Sequence, residues 1–247
     1  MNEILLYFAY KYKGNWNNIY KAIKNKEIIN DENYNLVLEE IKKDNPEFFT
    51  ILEEKYPKQL IASNKPPFVL FYKGNINILK EAKECIYLTG SYETKSIIEY
   101  VNNLKNNKNI TIINSFWPGL EQTILHSILK NNFKAIIILP CGINWAIKHL
   151  DLNKFNHPNC LFLSEFPNEY HITRTAYATR NRINASMCTK MILLSSLEKK
   201  YNTLINEFLD QGKDIQCLLF KDHDLNDGNI DLINEGAELI SENKEIF

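Results

Sequence analysis

Residues 110–144 read ITIINSFWPGLEQTILHSILKNNFKAIIILPCGIN. Two short apolar runs, ITIINS (110–115) and KAIIILP (134–140), flank a segment in which Leu120, Ile124, Ile128 and Leu129 recur at helical spacing. A run that is apolar at consecutive positions belongs to a strand covered on both faces, as in a parallel sheet sandwiched by helices. The stretch therefore predicts strand, helix and strand in succession.

The same pattern extends both ways. Further runs are FVLFY (68–72), CIYLTG (85–90), CLFLSE (160–165), KMILLSS (190–196) and IQCLLF (215–220). Helical faces fall between them, one on Ile97, Ile98, Val101 and Leu104, another on Leu197, Tyr201, Leu204, Ile205, Phe208 and Leu209. This alternation predicts an α/β fold: an extended Rossmann-like, doubly wound, mostly parallel sheet. Residues before 56 read differently. Leu5, Leu6, Phe8 and Ala9, then Ile19, Ala22 and Ile23, then Leu36, Val37 and Ile41 sit at helical spacings, and Pro46 is read as opening a last helix through Phe48, Phe49 and Leu52. The expected organisation is a small helical N-terminal domain over 1–55 and a Rossmann-like domain over 56–247.

A chain of 247 residues, 45% hydrophobic, can hold one large α/β domain with a small appendage. Its formal net charge of −1 excludes a globally basic polyanion binder, so any anion-binding role must be a local patch. Cys85, Cys141, Cys160, Cys188 and Cys217 are widely separated, mostly in apolar runs, and read as buried free thiols. Neither they nor the five histidines have metal-ligand spacing. The N-terminal MNEILLYFAYKYKGNW is interrupted by Lys11 and Lys13 and lacks signal-peptide features, and no run reaches the ~18 apolar residues of a membrane span. A cytoplasmic protein without membrane contact is expected.

In a doubly wound sheet, ligands bind at the carboxyl ends of the strands. Those ends read TGSYE (89–93), NSFWPG (114–119), LPCGIN (139–144), SEFP (164–167) and LSSLE (194–198). TGSYET sits between strand and helix, where backbone N–H groups can hold a phosphate. It is neither G-x-G-x-x-G nor a Walker loop, which speaks against a nucleotide cofactor. Glu121 and Glu165 stand singly, Ser91, Ser115 and Ser164 lack a base, and His126 falls on a helix surface. No catalytic residue, metal or cofactor is assigned.

The three arginines, Arg174, Arg180 and Arg182, all lie in TRTAYATRNR (173–182), although the chain has 29 Lys and Arg together. An arginine offers a planar fork for phosphate or carboxylate that lysine lacks. Arg180 and Arg182 are read near the first turns of a helix. Two positions apart, they point roughly 200° from one another, so one should face a groove and the other turn inward, toward a carboxylate such as Glu165.

At these residues the chain resembles the DNA-processing protein A family (DprA, also called Smf). Its R-N-R-I-I-A-G-L-S appears as RNRINASMC (180–188), its S-E-[YF]-P as SEFP, its L-G-x-G-[IL]-D as LPCGIN, and its Y-P-x-x-L…P-x-x-L-Y-x-x-G-N as YPKQL with PPFVLFYKGN (66–75). DGNIDLINEGA (227–237) resembles a further motif near the end. The departures are equally specific. Tyr92 stands where G-[ST]-R has Arg; Pro118, Glu121 and Leu125 replace an Arg, an Asp and a His; and KKYNTL (199–204) replaces S-G-S-L-x-T. The resemblance implies a nucleic-acid site at Arg174, Arg180, Asn181 and Arg182, with Gly90, Ser91, Tyr92, Lys95, Gly119 and Gly142. It implies single-stranded DNA binding without turnover in natural transformation and recombination, strand protection, loading of a RecA-type recombinase, and homodimers. Two readings stay open beside it: a degenerate interaction protein that no longer binds DNA, and a nucleotide-binding enzyme or sensor on the same fold.

Overall fold

The apolar runs become the centre of a nine-stranded sheet among the residues described. The computed structural model describes residues 1–197 and 201–241; the side chains of 31–33 fall outside it, as do Glu198 of LSSLE and Lys199 and Lys200 of KKYNTL. Three helices come first, α1 (Asn2–Lys11), α2 (Trp16–Lys24) and α3 (Asp31–Asp44), then β1 (Phe48–Thr50), α4 (Lys58–Ile61), β2 (Val69–Gly74), α5 (Asn77–Glu81) and β3 (Glu84–Thr89). From there the alternation is regular: α6 (Lys95–Asn102), β4 (Ile110–Asn114), α7 (Leu120–Lys130), β5 (Lys134–Ile138), α8 (Ile143–His149), a 3-10 turn (Leu152–Phe155) and β6 (Cys160–Ser164). The last part holds α9 (Arg174–Met187), β7 (Lys190–Leu193), α10 (Asn202–Leu209), β8 (Asp214–Leu218), α11 (Gly228–Asn234) and β9 (Glu238–Ile240).

The strand order is β1-β2-β6-β5-β4-β3-β7-β8-β9. From β6 to β9 every neighbouring pair is parallel, whereas β2 runs antiparallel to β6 and β1 antiparallel to β2. The chain lays down β3 to β6 in one direction, then returns to place β7 on the other side of β3. That reversal puts the topological switch point at the carboxyl ends of β3 and β7.

Two apolar clusters flank the sheet. One joins Ile112, Ala135 and Ile137 to α6, α7 and α8, and also to Leu6, Phe8 and Tyr10 of α1 and Ile19 and Ala22 of α2. The other joins Tyr87, Ile113, Ile136 and Ile138 to Ile183 and Met187 of α9 and Leu204 and Phe208 of α10. β4 and β5 thus have both faces covered, which is why their sequences carry no polar alternation. The five cysteines are buried free thiols.

The helix expected from Pro46 does not form. Phe48, Phe49 and Thr50 pair instead with Phe71, Leu70 and Val69, making β1 an edge strand of the main sheet. Their spacing fits a helix, but a three-residue segment takes its conformation from its partner strand, not from propensity.

Candidate nucleic-acid site

The loop after β4 is shaped by two unusual backbone positions. Phe116 is left-handed (φ 58°) and Gly119 has φ 100°. Asn114 Oδ1 accepts the Phe116 N–H at 2.6 Å, and Phe116 packs edge-on against Phe155. A bulky residue in that region is unfavourable by about 1–3 kcal/mol unless its surroundings fix it, and such strain gathers at functional sites. Here it turns Trp117 outward. Glu121, in the first turn of α7, reaches back to accept the Trp117 N–H at 2.7 Å and the Thr89 hydroxyl at 2.5 Å.

α9 is capped by Thr173, whose hydroxyl accepts from the Ala176 N–H. It starts at Arg174, so Arg180 and Arg182 lie in its middle turns, not its first, and the helix terminus adds nothing to them. Arg180 keeps only 9% of its surface exposed. Its guanidinium lies 5.2 Å from the Tyr177 ring centre and donates from Nη2 to Asn181 Oδ1 at 2.9 Å. Nη1 is buried with no hydrogen-bond partner, and among the described residues no carboxylate pairs with Arg180. Tyr177 meets Trp117 edge to face at 5.6 Å.

Two cavities share Ser115, Trp117, Tyr177 and Arg180 in their walls. One, about 330 Å³, runs outward past Phe155 and Ile172. The other, about 240 Å³, runs inward to Tyr87, Glu121 and Tyr201. Its floor is a polar chain: Asn184 Nδ2 donates to Ser115 Oγ (2.9 Å), Ser115 Oγ lies 2.7 Å from the Tyr87 hydroxyl, and Thr89 Oγ1 lies 3.1 Å from the Tyr201 hydroxyl. Burial, with the Glu121 carboxylate as the next cause, pushes the Tyr87 and Tyr201 phenols up, so both stay neutral. The arrangement can grip an anion at Arg180 and hold a flat ring against Tyr177 and Trp117.

Arg182 takes the opposite direction. It ion-pairs with Glu165, at 13% and 3% side-chain exposure respectively. The pairing of one arginine with Glu165 is the one expected from their spacing, although Arg180 is the more buried of the two. Burial raises the Glu165 carboxyl to about 7 against the opposing pull of Arg182.

The remaining expected site residues scatter. The turn Gly90-Ser91-Tyr92 sits at the switch point, but its backbone is already satisfied. The Ser91 N–H donates to Ser195 O (3.1 Å), the Tyr92 N–H reaches Ser195 Oγ (3.2 Å), and a side chain at Gly90 would strike Leu120 and Ser195. The Tyr92 hydroxyl donates to Asp227 Oδ2 at 2.6 Å and accepts the Asp224 N–H at 3.0 Å. The phosphate cradle that the turn's sequence allows is therefore filled by the protein's own groups. Lys95 is exposed beside Glu99, Arg174 is exposed at the start of α9, and Gly119 faces open space.

Gly142 has a packing role. A Cβ there would come within 2.2 Å of the carbonyl oxygens of Pro167 and Asn168. Its own N–H donates to Tyr170 O at 2.8 Å, and Ser164 Oγ donates to Cys141 O at 2.7 Å. The LPCGIN and SEFP motifs are thus two halves of one tight loop contact. Gly142→Ala should lower stability by about 1–3 kcal/mol through overpacking, read from urea unfolding; unchanged stability would show that the loop yields.

Sequence reasoning missed Tyr87, Tyr177 and Tyr201 as lining residues. Tyr177 alone carried a local signal, three positions before Arg180.

A family model described as DNA recombination-mediator protein A matches residues 47–247. The chain belongs to this family. It is 25% identical to the DNA processing protein DprA of Streptococcus pneumoniae, over 81% of this chain and 72% of that protein. It is 27% identical to the Smf protein of Synechocystis, over 84% of this chain and 55% of that protein. The crystal structure of the S. pneumoniae protein superposes with a TM-score of 0.71 at 25% identity, covering 85% of this chain and 77% of that one. The Helicobacter pylori DNA processing protein A, whose structure concerns single-stranded DNA binding, superposes with a TM-score of 0.66 at 18% identity, covering 80% and 92%; this likeness is one of fold. Among the described residues, no helix is long and apolar enough to cross a membrane.

Proposed function

We propose that this chain binds single-stranded DNA in the cleft at the carboxyl edge of the sheet and, as a homodimer, delivers it to a RecA-type recombinase without chemical turnover. The observation that carries this reading is the buried, unpaired Nη1 of Arg180 between two cavities walled by Trp117 and Tyr177. A guanidinium with one N–H group left without an acceptor in a desolvated wall is a strong site for a phosphate oxygen. Adjacent ring faces suit unpaired bases, which a duplex keeps stacked inside. The chain's membership of a recombination-mediator family supports the same role.

Titrating a labelled single strand and the matching duplex at two salt concentrations tests it. The single strand should bind more tightly, and its affinity should fall as salt rises, because bound cations displace counterions. Equal affinity for the two forms, or none at low salt, would discard the reading. One observation favours the alternative of an interaction protein that has lost DNA: Tyr92, in the position of an arginine, is spent on Asp227. On that reading neither form binds.

A further inference from the structure

Residues 11–26, KYKGNWNNIYKAIKNK, hold five lysines and no acidic residue, in a chain whose net charge is −1. Lys11 pairs with Glu27 and Lys13 with Glu40. Lys21, Lys24 and Lys26 are exposed and form no ion pair among the described residues. The same surface carries a stack of rings. Trp16 lies parallel to Tyr20 (centroids 5.0 Å apart, 9° between planes) and against Phe68 (5.4 Å, 24°), with the Lys65 ammonium 5.8 Å from the Trp16 ring. The Trp16 indole N–H donates to Pro66 O at 2.8 Å, which fixes the stack, while Tyr20 remains 45% exposed. On α2, positions 16, 20 and 24 follow one line, so the rings and the Lys24 ammonium present a single strip.

The strip lies at the sheet edge that bears the Arg180 cleft. Gly14, in the turn before α2, packs against Glu165 O and Phe166 of the SEFP loop, and Glu165 on that loop pairs with Arg182 of α9. The SEFP loop thus touches both the turn before α2 and α9, the helix that carries Arg180. We propose that the α2 strip is a second contact for single-stranded DNA, taking the strand as it leaves the cleft, with Lys21, Lys24 and Lys26 on phosphates and Tyr20 beneath a base. This rests on the cleft binding a single strand. Charge complementarity argues for a polyanion, and an exposed ring on a rigid stack argues for unpaired bases over a lipid surface.

The test compares a short strand of about six nucleotides with a long one of about 20, within the span of single-strand sites. The proteins are the wild type, Lys21→Gln/Lys24→Gln/Lys26→Gln, Tyr20→Ala and Arg180→Ala. The triple variant should bind the long strand about tenfold more weakly at low salt and lower the slope of log affinity against log salt by about 2, at roughly 0.7 per lost phosphate contact. Its affinity for the short strand should not change. Tyr20→Ala should weaken long-strand binding by about tenfold without changing the slope. Long-strand affinity and slope equal to wild type in the triple variant would overturn the proposal. So would loss of binding to phosphatidylserine vesicles with strand binding intact. Failure of the cleft reading is separate: the wild type would then ignore the short strand, or Arg180→Ala would bind it normally.

Discussion

Arg180→Met should weaken single-strand binding by about 10- to 100-fold while leaving stability within about 1 kcal/mol of wild type. The binding loss follows from removing a charge-assisted hydrogen bond, worth about 1.5–3 kcal/mol, from a desolvated wall. The near-neutral stability follows from opposing contributions. Arg180 is buried with no carboxylate partner among the described residues, and burying an unpaired charge is unfavourable. Its offsets are the contact with the Tyr177 face and the two donations to Asn181 Oδ1. Methionine keeps the apolar stem, relieves the charge and removes both donations to Asn181 Oδ1. Arg180→Lys should fall between, with about tenfold weaker binding, because an ammonium keeps the charge but cannot hold Asn181 and a phosphate at once. Melting curves and strand titrations on both variants check this. A Lys variant that binds like wild type, or a Met variant that loses more than about 3 kcal/mol, would make Arg180 a structural residue.

How far the residues alone lead can be judged from particular elements. β4, β5 and β6 are legible because strands buried on both faces write an uninterrupted apolar run, and the structure ends them within two residues of the runs. β1 and β9 are not legible: three residues of edge strand have no period of their own and exist by pairing with β2 and β8. Nor does the run 68–72 disclose that β2 enters antiparallel, since a covered strand looks alike in either direction.

The site divides in the same way. That Arg180 and Arg182 face different surroundings could be derived because both lie on one helix and the period decides it. The filling of the Gly90-Ser91-Tyr92 turn could not. Ser195 and Asp227, which occupy its donors, are more than 100 positions away in the chain. A turn that looks able to hold a phosphate can be answered by the protein's own oxygens, and only the fold brings those oxygens in. On the proposed function, strand binding therefore falls to the neighbouring cleft under Trp117 and not to the switch point itself.

The second large effect concerns stability. Arg182→Leu should cost about 2–3 kcal/mol at pH 8, a lost hydrogen bond and packing plus the about 1 kcal/mol that a further rise of the Glu165 carboxyl adds between pH 5 and pH 8. The loss should shrink to about 1–2 kcal/mol at pH 5. The pH dependence comes from Glu165, whose carboxyl sits at about 7 in the folded protein and near 4.5 when free. Between those values the folded state binds a proton that the unfolded state has released. Stability from this group is therefore full below about 4.5 and lost as pH rises through 7, by at most about 3 kcal/mol. Without Arg182 the folded carboxyl rises further, so the loss continues above 7 and the variant is most impaired in alkaline buffer. At pH 5 Glu165 is neutral in both proteins, and the variant lacks only a hydrogen bond and some packing. Glu165→Leu/Arg182→Leu should recover at least half of the loss at pH 8, because an apolar pair strands no charge. Urea unfolding of the three proteins at both pH values decides the matter: an Arg182→Leu deficit of the same size at pH 5 and pH 8 would mean that Glu165 ionises in the fold without help, and that Arg182 acts through its packing.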